Sequence, residues 1–257
     1  MRRAQGACGL ALAWALALAP LGAGAAEEPP AVLLVGDSTM APETGYGDAF
    51  CERLQPRVAC LNLGRGGRST LSYRAEGLWQ RVLSRLRAGE PGVPRHVLIQ
   101  FGHNDQPGKP GRSTDLATEY PANLKRYVAE VREAGGLPVL VTPLTRRSFK
   151  DGLHQNDLVP WAEAMRAVAT ELQVPLVDLN ARSAAIVAPM GQTGADTLAM
   201  AAPGHPSFDR THLGPRGACV FADLMALGVA EAVPALAGSF GEAPDCSRLP
   251  APAAGAA

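Results

Sequence analysis

The stretch Ala31-Val32-Leu33-Leu34-Val35, running into Gly36-Asp37-Ser38-Thr39-Met40, decides the fold. Consecutive apolar residues without polar alternation make a strand buried on both faces, as inside a parallel sheet. Val58–Leu63, Val97–Phe101, Leu137–Val141 and Val174–Leu179 repeat that character. Between these runs the apolar residues fall at helical spacing. Leu78, Trp79, Val82, Leu83 and Leu86 form one stripe, and Leu124, Tyr127, Val128 and Val131 a second. A third, Trp161, Met165, Val168 and Leu172, follows Pro160, a residue suited to a first helical turn. From Pro215 to about Ala232 a last helix reads clearly, stopped by Pro234. Strands alternating with helices predict an α/β fold: a mostly parallel five-stranded sheet, joined by right-handed crossovers, between two helical layers. In such sheets ligands bind beyond the carboxyl ends of the strands.

Ahead of the first strand, Arg2 and Arg3 precede an apolar run from Leu10 to Leu21 and a cluster of small residues ending at Ala26. That layout predicts a secretory signal peptide over residues 1–26 and a secreted or periplasmic protein. The run is short for a bilayer span, so no membrane partner is expected. With neither repeat nor linker, residues 27–250 read as one domain, and 251–257, all Ala, Pro and Gly, as a disordered tail. The 257 residues carry 24 basic and 24 acidic side chains, and the mature chain 22 and 24, a formal charge of −2. No global basic field exists to hold nucleic acid, and aromatics at 5% give no stacking platform. The chain is expected to be a monomer. Once Cys8 leaves with the signal, four cysteines remain in a disulfide-permissive compartment. Sequence neighbours favour Cys51 with Cys60 and Cys219 with Cys246, with a buried free thiol as the alternative for Cys219. No Cys-x-x-Cys or Cys/His cluster suggests zinc.

Ser38 sits on a turn at a strand's carboxyl end, where a serine is either a nucleophile or a helix cap. Asp209-Arg210-Thr211-His212 supplies a carboxylate and an imidazole three residues apart, so one turn can present both; the bland alternative is an ion pair at a helix entrance. Asn62-Leu63-Gly64-Arg65-Gly66-Gly67-Arg68-Ser69 follows the second strand and lets backbone approach a ligand closely, without the spacing of a phosphate-binding fingerprint. Phe101-Gly102-His103-Asn104-Asp105 follows the third and offers a side-chain amide, or a plain Asx turn. His103 is a candidate to line the site. Arg146 and Arg147 follow the fourth strand; with Arg68 and Arg210 they could form a basic rim, or remain a solvated pair. His96, His154 and His205 have no visible partner at useful spacing.

Together, Gly36–Met40, Gly45-Tyr46-Gly47, Gly66–Ser69, Phe101–Asp105, Thr142-Pro143-Leu144 with Arg146-Arg147, and Asp209–His212 resemble the SGNH (GDSL-like) hydrolase superfamily, most closely its rhamnogalacturonan acetylesterase family. The resemblance spans nearly the whole mature chain. It implies a three-layer α/β/α sandwich of flavodoxin type, with Ser38 as nucleophile, His212 and Asp209 completing the triad, and Ser38, Gly67 and Asn104 forming the oxyanion hole. It implies no cofactor and no metal. The expected function is a secreted esterase that removes acetyl groups from a plant cell-wall polysaccharide or oligosaccharide, with Arg68, His103, Arg146, Arg147 and Arg210 binding substrate. A broad carboxylesterase, lipase or thioesterase, or an inactive carbohydrate-binding protein, are the alternatives.

Overall fold

In chain order the strands are β1 (Ala31–Gly36), β2 (Ala59–Asn62), β3 (Arg95–Gln100), β4 (Leu137–Val141), β5 (Phe149–Lys150), β6 (Leu153–His154), β7 (Leu176–Val177), β8 (Ala199–Ala201) and β9 (Phe208–Leu213). The helices are α1 (Gly47–Cys51), α2 (Ser72–Ala75), α3 (Leu78–Ala88), α4 (Glu119–Glu133), α5 (Val159–Leu172), α6 (Leu179–Val187), α7 (Gly191–Asp196) and α8 (Pro215–Ala232). These come from a computed structural model that describes residues 29–201 and 207–252. The signal-peptide reading of 1–26, His205, and all of the tail beyond Pro252 lie outside the described residues.

Five strands form one parallel sheet in the order β2-β1-β3-β4-β7, as the apolar runs predict. Successive side chains of a strand point to opposite faces. Val32 and Leu34 therefore enter one core with Phe50 of α1 and Phe221, Met225 and Val229 of α8. Leu33 and Val35 enter the other, with Trp79 of α3, Leu124 and Tyr127 of α4 and Met165 of α5. Each such fully buried side chain is worth ~1.5–3 kcal/mol over its exposed state. The three-layer expectation holds, and the reversal of strand order falls between β1 and β3. Ser38 follows β1 and Asn104 follows β3, so both stand at the carboxyl ends of these two strands, where sheets of this order bind ligands.

Both disulfides form as the neighbour rule favours. Cys51–Cys60 ties α1 to β2, and Cys219–Cys246 ties α8 to the C-terminal segment, so Cys219 is not a free thiol. The fifth run is cut to Leu176–Val177, because Pro175 lacks an N–H and Asp178 already caps α6 through Ala181 N–H. Two hairpins were not expected. In β5–β6, Asp151 and Gly152 take φ of 52° and 77°, the left-handed pair that a two-residue turn demands. Among the described residues no helix is long and apolar enough to cross a membrane.

Candidate active site

β1 ends where backbone approaches backbone: a Cβ on Gly36 would stand 2.7 Å from the Gln100 carbonyl oxygen. The next residue turns the chain. Asp37 Oδ1 accepts the Thr39 N–H at 2.9 Å and its hydroxyl at 2.8 Å, and the Asp37 carbonyl accepts from Met40 and Ala41. Ser38 rides on this turn, 7% exposed. No helix starts there, since the chain continues in turns to α1, and the helix-cap reading falls. Beneath the turn, Tyr46 hydroxyl donates to Gln100 Oε1, Gln100 Nε2 donates to Thr39 Oγ1 at 2.6 Å, and His103 Nδ1 meets Asp37 Oδ2 at 3.2 Å. Burial alone would push the Asp37 carboxyl up; the facing His103 and the Thr39 bonds outweigh it and hold it below the ordinary value.

The loop after β2 folds over this turn. Asn62 Nδ2 donates to the Met40 carbonyl at 3.0 Å, and Arg65 N–H to the Gly36 carbonyl at 2.9 Å. A Cβ on Gly66 would lie 3.8 Å from Ser38 Cβ, which puts the Gly66-Gly67 turn directly beside the serine. Gly67 has φ of +77°, a conformation costly for any residue with a Cβ. Asn104, largely buried, donates from Nδ2 to the Arg68 carbonyl at 3.1 Å, leaving its second amide hydrogen for another acceptor.

Asp105 clamps the same two loops. Its carboxylate accepts the Thr70 N–H at 3.1 Å, the Thr70 hydroxyl at 2.5 Å and the Thr114 hydroxyl at 3.1 Å. Burial pushes its pKa up to about 7 against the pull of those bonds. Because the folded value lies above the unfolded one, this group's stabilising contribution is complete below the unfolded pKa of ~3.9 and is lost as pH rises through 7. Asp105→Asn keeps the Oδ1 acceptor and removes the titration. Urea unfolding should show this variant gaining on the order of 3 kcal/mol relative to wild type between pH 4.5 and pH 8; a constant difference would exclude the clamp's titration.

The Asp209–His212 block lies on β9, not on a turn leading into a helix. On a regular strand, residues three apart point to opposite faces. Here the register jumps from Met200 opposite Asp209 to Ala199 opposite Leu213, so Arg210, Thr211 and His212 bulge out of the ladder. Asp209 Oδ1 accepts the N–H groups of Thr211 at 2.9 Å and His212 at 3.0 Å, curling the bulge so that Oδ2 meets His212 Nδ1 at 2.6 Å. Partial burial would raise the Asp209 carboxyl; the His212 and backbone bonds hold it low. Thr44 joins the two halves of the site: its hydroxyl donates to the Ser38 carbonyl at 2.7 Å and its carbonyl accepts Leu213 N–H at 2.9 Å.

The expected basic rim needs correction. Arg147 is fully buried, its guanidinium on the His212 carbonyl at 2.7 Å, and is no rim residue. His103 is 2% exposed and engaged by Asp37. Arg68, Arg146 and Arg210 are at the edge but paired, with Glu76 at 2.7 Å, Asp157 at 2.5 Å and Asp196 at 2.9 Å. Sequence reading missed Lys109 and Arg112, whose spacing just past Asp105 was the available signal. Neither makes an ion pair among the described residues; Lys109 Nζ reaches the His103 carbonyl and Arg112 Nη1 approaches the Gly67 carbonyl at 3.4 Å. Burial and the charges of Arg146 and Arg112 hold the Lys109 ammonium below its ordinary value. His154, partnerless in the sequence, contacts the Arg146 carbonyl at 2.8 Å through Nε2.

A flavodoxin-ordered sheet that gathers a serine turn, a double-glycine turn and an Asp–His pair at one edge defines the scaffold of a GDSL-type ester hydrolase. The chain belongs to the GDSL-like Lipase/Acylhydrolase family, whose description matches residues 34–218. It is 34% identical over 220 residues to Rhamnogalacturonan acetylesterase RhgT of Bacillus subtilis, covering 80% of this chain and 91% of that protein. To Probable rhamnogalacturonan acetylesterase YesY of the same organism it is 32% identical over 207 residues, covering 78% and 92%. The crystal structure of Bacillus subtilis protein YXIM shares the fold, with a TM-score of 0.67 and 22% identity over 80% of this chain and 57% of that one. The protein is thus a carboxylic ester hydrolase, related to carbohydrate esterases.

Proposed function

We propose that the protein is an exported serine esterase that removes acetyl groups from rhamnogalacturonan-type pectin. The observation that carries the chemistry is the 2.6 Å contact of Asp209 with His212 on a bulge tied through Thr44 to the Ser38 turn. Ser38 Oγ attacks the acetyl carbonyl while His212 Nε2 takes its proton. Asp209 Oδ2 holds the proton of Nδ1, fixing the tautomer and stabilising the imidazolium. The N–H groups of Ser38 and Gly67 and the free hydrogen of the Asn104 amide receive the developing oxyanion; losing one such donor typically costs ~100-fold or more. His212 returns its proton to the departing sugar oxygen, which leaves as a hydroxyl, and then activates the water that releases acetate. No step calls for a cofactor. Export rests on the reading of residues 1–26.

The substrate class rests on the likeness to proteins named rhamnogalacturonan acetylesterases and on local charge. Since the mature chain has no positive excess, a uronate must be held by side chains at the site. Arg65 and Arg112 flank the Gly66-Gly67 turn without an ion-pair partner among the described residues, and guanidinium suits a carboxylate. The test compares acetylated rhamnogalacturonan, acetylated xylan and p-nitrophenyl esters of increasing chain length. Exchanging Arg65 and Arg112 for Gln should raise KM for acetylated pectin ~10-fold at low salt, about 1 kcal/mol or less per exposed pair, and by under ~2-fold for p-nitrophenyl acetate. Preference for acetylxylan, or for long-chain esters, would replace this substrate assignment with the xylan or lipase reading.

A further inference from the structure

The bulge of β9 has lost its neighbour strand, and one residue outside the hairpin takes over. Arg147 main-chain N–H donates to the Arg210 carbonyl at 2.9 Å, and its Nη2 donates to the His212 carbonyl at 2.7 Å. The Arg147 carbonyl in turn accepts from Gln192 Nε2 at 3.0 Å, and the same nitrogen reaches Asp196 Oδ1 at 2.7 Å. Asp196 grips the Arg210 side chain at 2.9 Å. Both ends of the segment that presents His212 are thus fastened to a single side chain and its backbone.

As a mere filler, this residue is a poor choice. The side chain has no solvent exposure, and no carboxylate stands at ion-pair distance from it among the described residues. Its Nε and Nη1 find no acceptor among the described residues. Burial draws the guanidinium down to about 10, with Asp209 and Asp196 drawing it back up and Arg146 adding to the fall. It is still a cation at neutral pH. A buried charge without a paired carboxylate costs several kcal/mol, and an apolar residue of similar volume often serves the interior as well or better. What an apolar residue cannot do is donate to the His212 carbonyl.

We propose that Arg147 is a positioning residue that fixes the His212 imidazole against Ser38 by holding the bulge carbonyls on either side of Thr211. The proposal rests on the reading of His212 as the general base. A base displaced by about an ångström loses up to ~100-fold in rate while substrate binding is untouched. Holding the ring also keeps the Asp209–His212 bond short.

The experiment measures kcat and KM for p-nitrophenyl acetate in Arg147→Met and Arg147→Lys. Folded enzyme is counted by circular dichroism and by stoichiometric labelling of Ser38 with a phosphonate. The low-field proton resonance of the Asp209–His212 hydrogen bond is recorded in each. R147M should lose ~10- to 100-fold in kcat with KM within ~2-fold, and the low-field resonance should shift or broaden; R147K, which can still donate to the carbonyl, should recover part of the kcat loss. Should R147M not fold, R147K alone decides, with a kcat loss of ~3-fold or more at constant KM and a displaced resonance expected. A folded variant with kcat within ~2-fold of wild type and an unmoved resonance overturns the proposal. Full activity in His212→Ala would instead overturn the general-base reading, so the two failures are separable.

Discussion

Ser38→Ala is expected to lower kcat for p-nitrophenyl acetate by ~10,000-fold or more while leaving the fold intact. The separation of the two effects follows from what the serine does in the structure. Its backbone carbonyl accepts from Thr44, whereas its hydroxyl makes no hydrogen bond to the described residues. The turn is held instead by Asp37, Thr39 and Gln100, all untouched by the substitution. Thermal unfolding should therefore shift by about 1 kcal/mol or less, because the lost hydroxyl leaves no partner unsatisfied. Residual turnover above a tenth of wild type in the folded variant would transfer the nucleophile's role elsewhere.

The sequence disclosed the central strands because doubly buried strands are continuous apolar runs, and α8 because proline marks both its ends. Ser38, Gly67 and Asn104 could be singled out as candidates because each follows one of those strands, β1, β2 and β3, at the same edge of the sheet. The hairpins were harder. β5 and β6 are two residues each, too short for any periodicity, although Asp151-Gly152 carried a usable turn signal. β9 reads Phe-Asp-Arg-Thr-His-Leu, with no alternation, because its middle is a bulge. The interior charges were not legible. Arg147 sits beside Arg146 in sequence, and one is buried while the other bridges Asp157, Gln106 and Thr211 at the rim. Only tertiary contact, here with carbonyls 63 and 65 residues away, distinguishes them.

Asp209→Asn is expected to reduce kcat by ~10,000-fold, with stability close to wild type, and Asp209→Ala to lose both. The carboxylate has two duties carried by different oxygens. Oδ1 accepts the N–H groups of Thr211 and His212 and shapes the bulge; Oδ2 faces His212 Nδ1. In the asparagine variant the amide oxygen can keep the first duty, but an NH2 group then stands where Oδ2 stood. That group only donates, so Nδ1 must become an acceptor and the ring proton moves to Nε2. A protonated Nε2 facing Ser38 cannot accept the nucleophile's proton. Alanine removes the bulge's acceptor as well, leaving two N–H groups without a partner at ~1–3 kcal/mol each where they are buried. Urea unfolding and p-nitrophenyl acetate kinetics on the two variants check this split. Equal destabilisation in both would make Asp209 a structural cap alone, and a kcat for D209N within tenfold of wild type would remove it from the proton path.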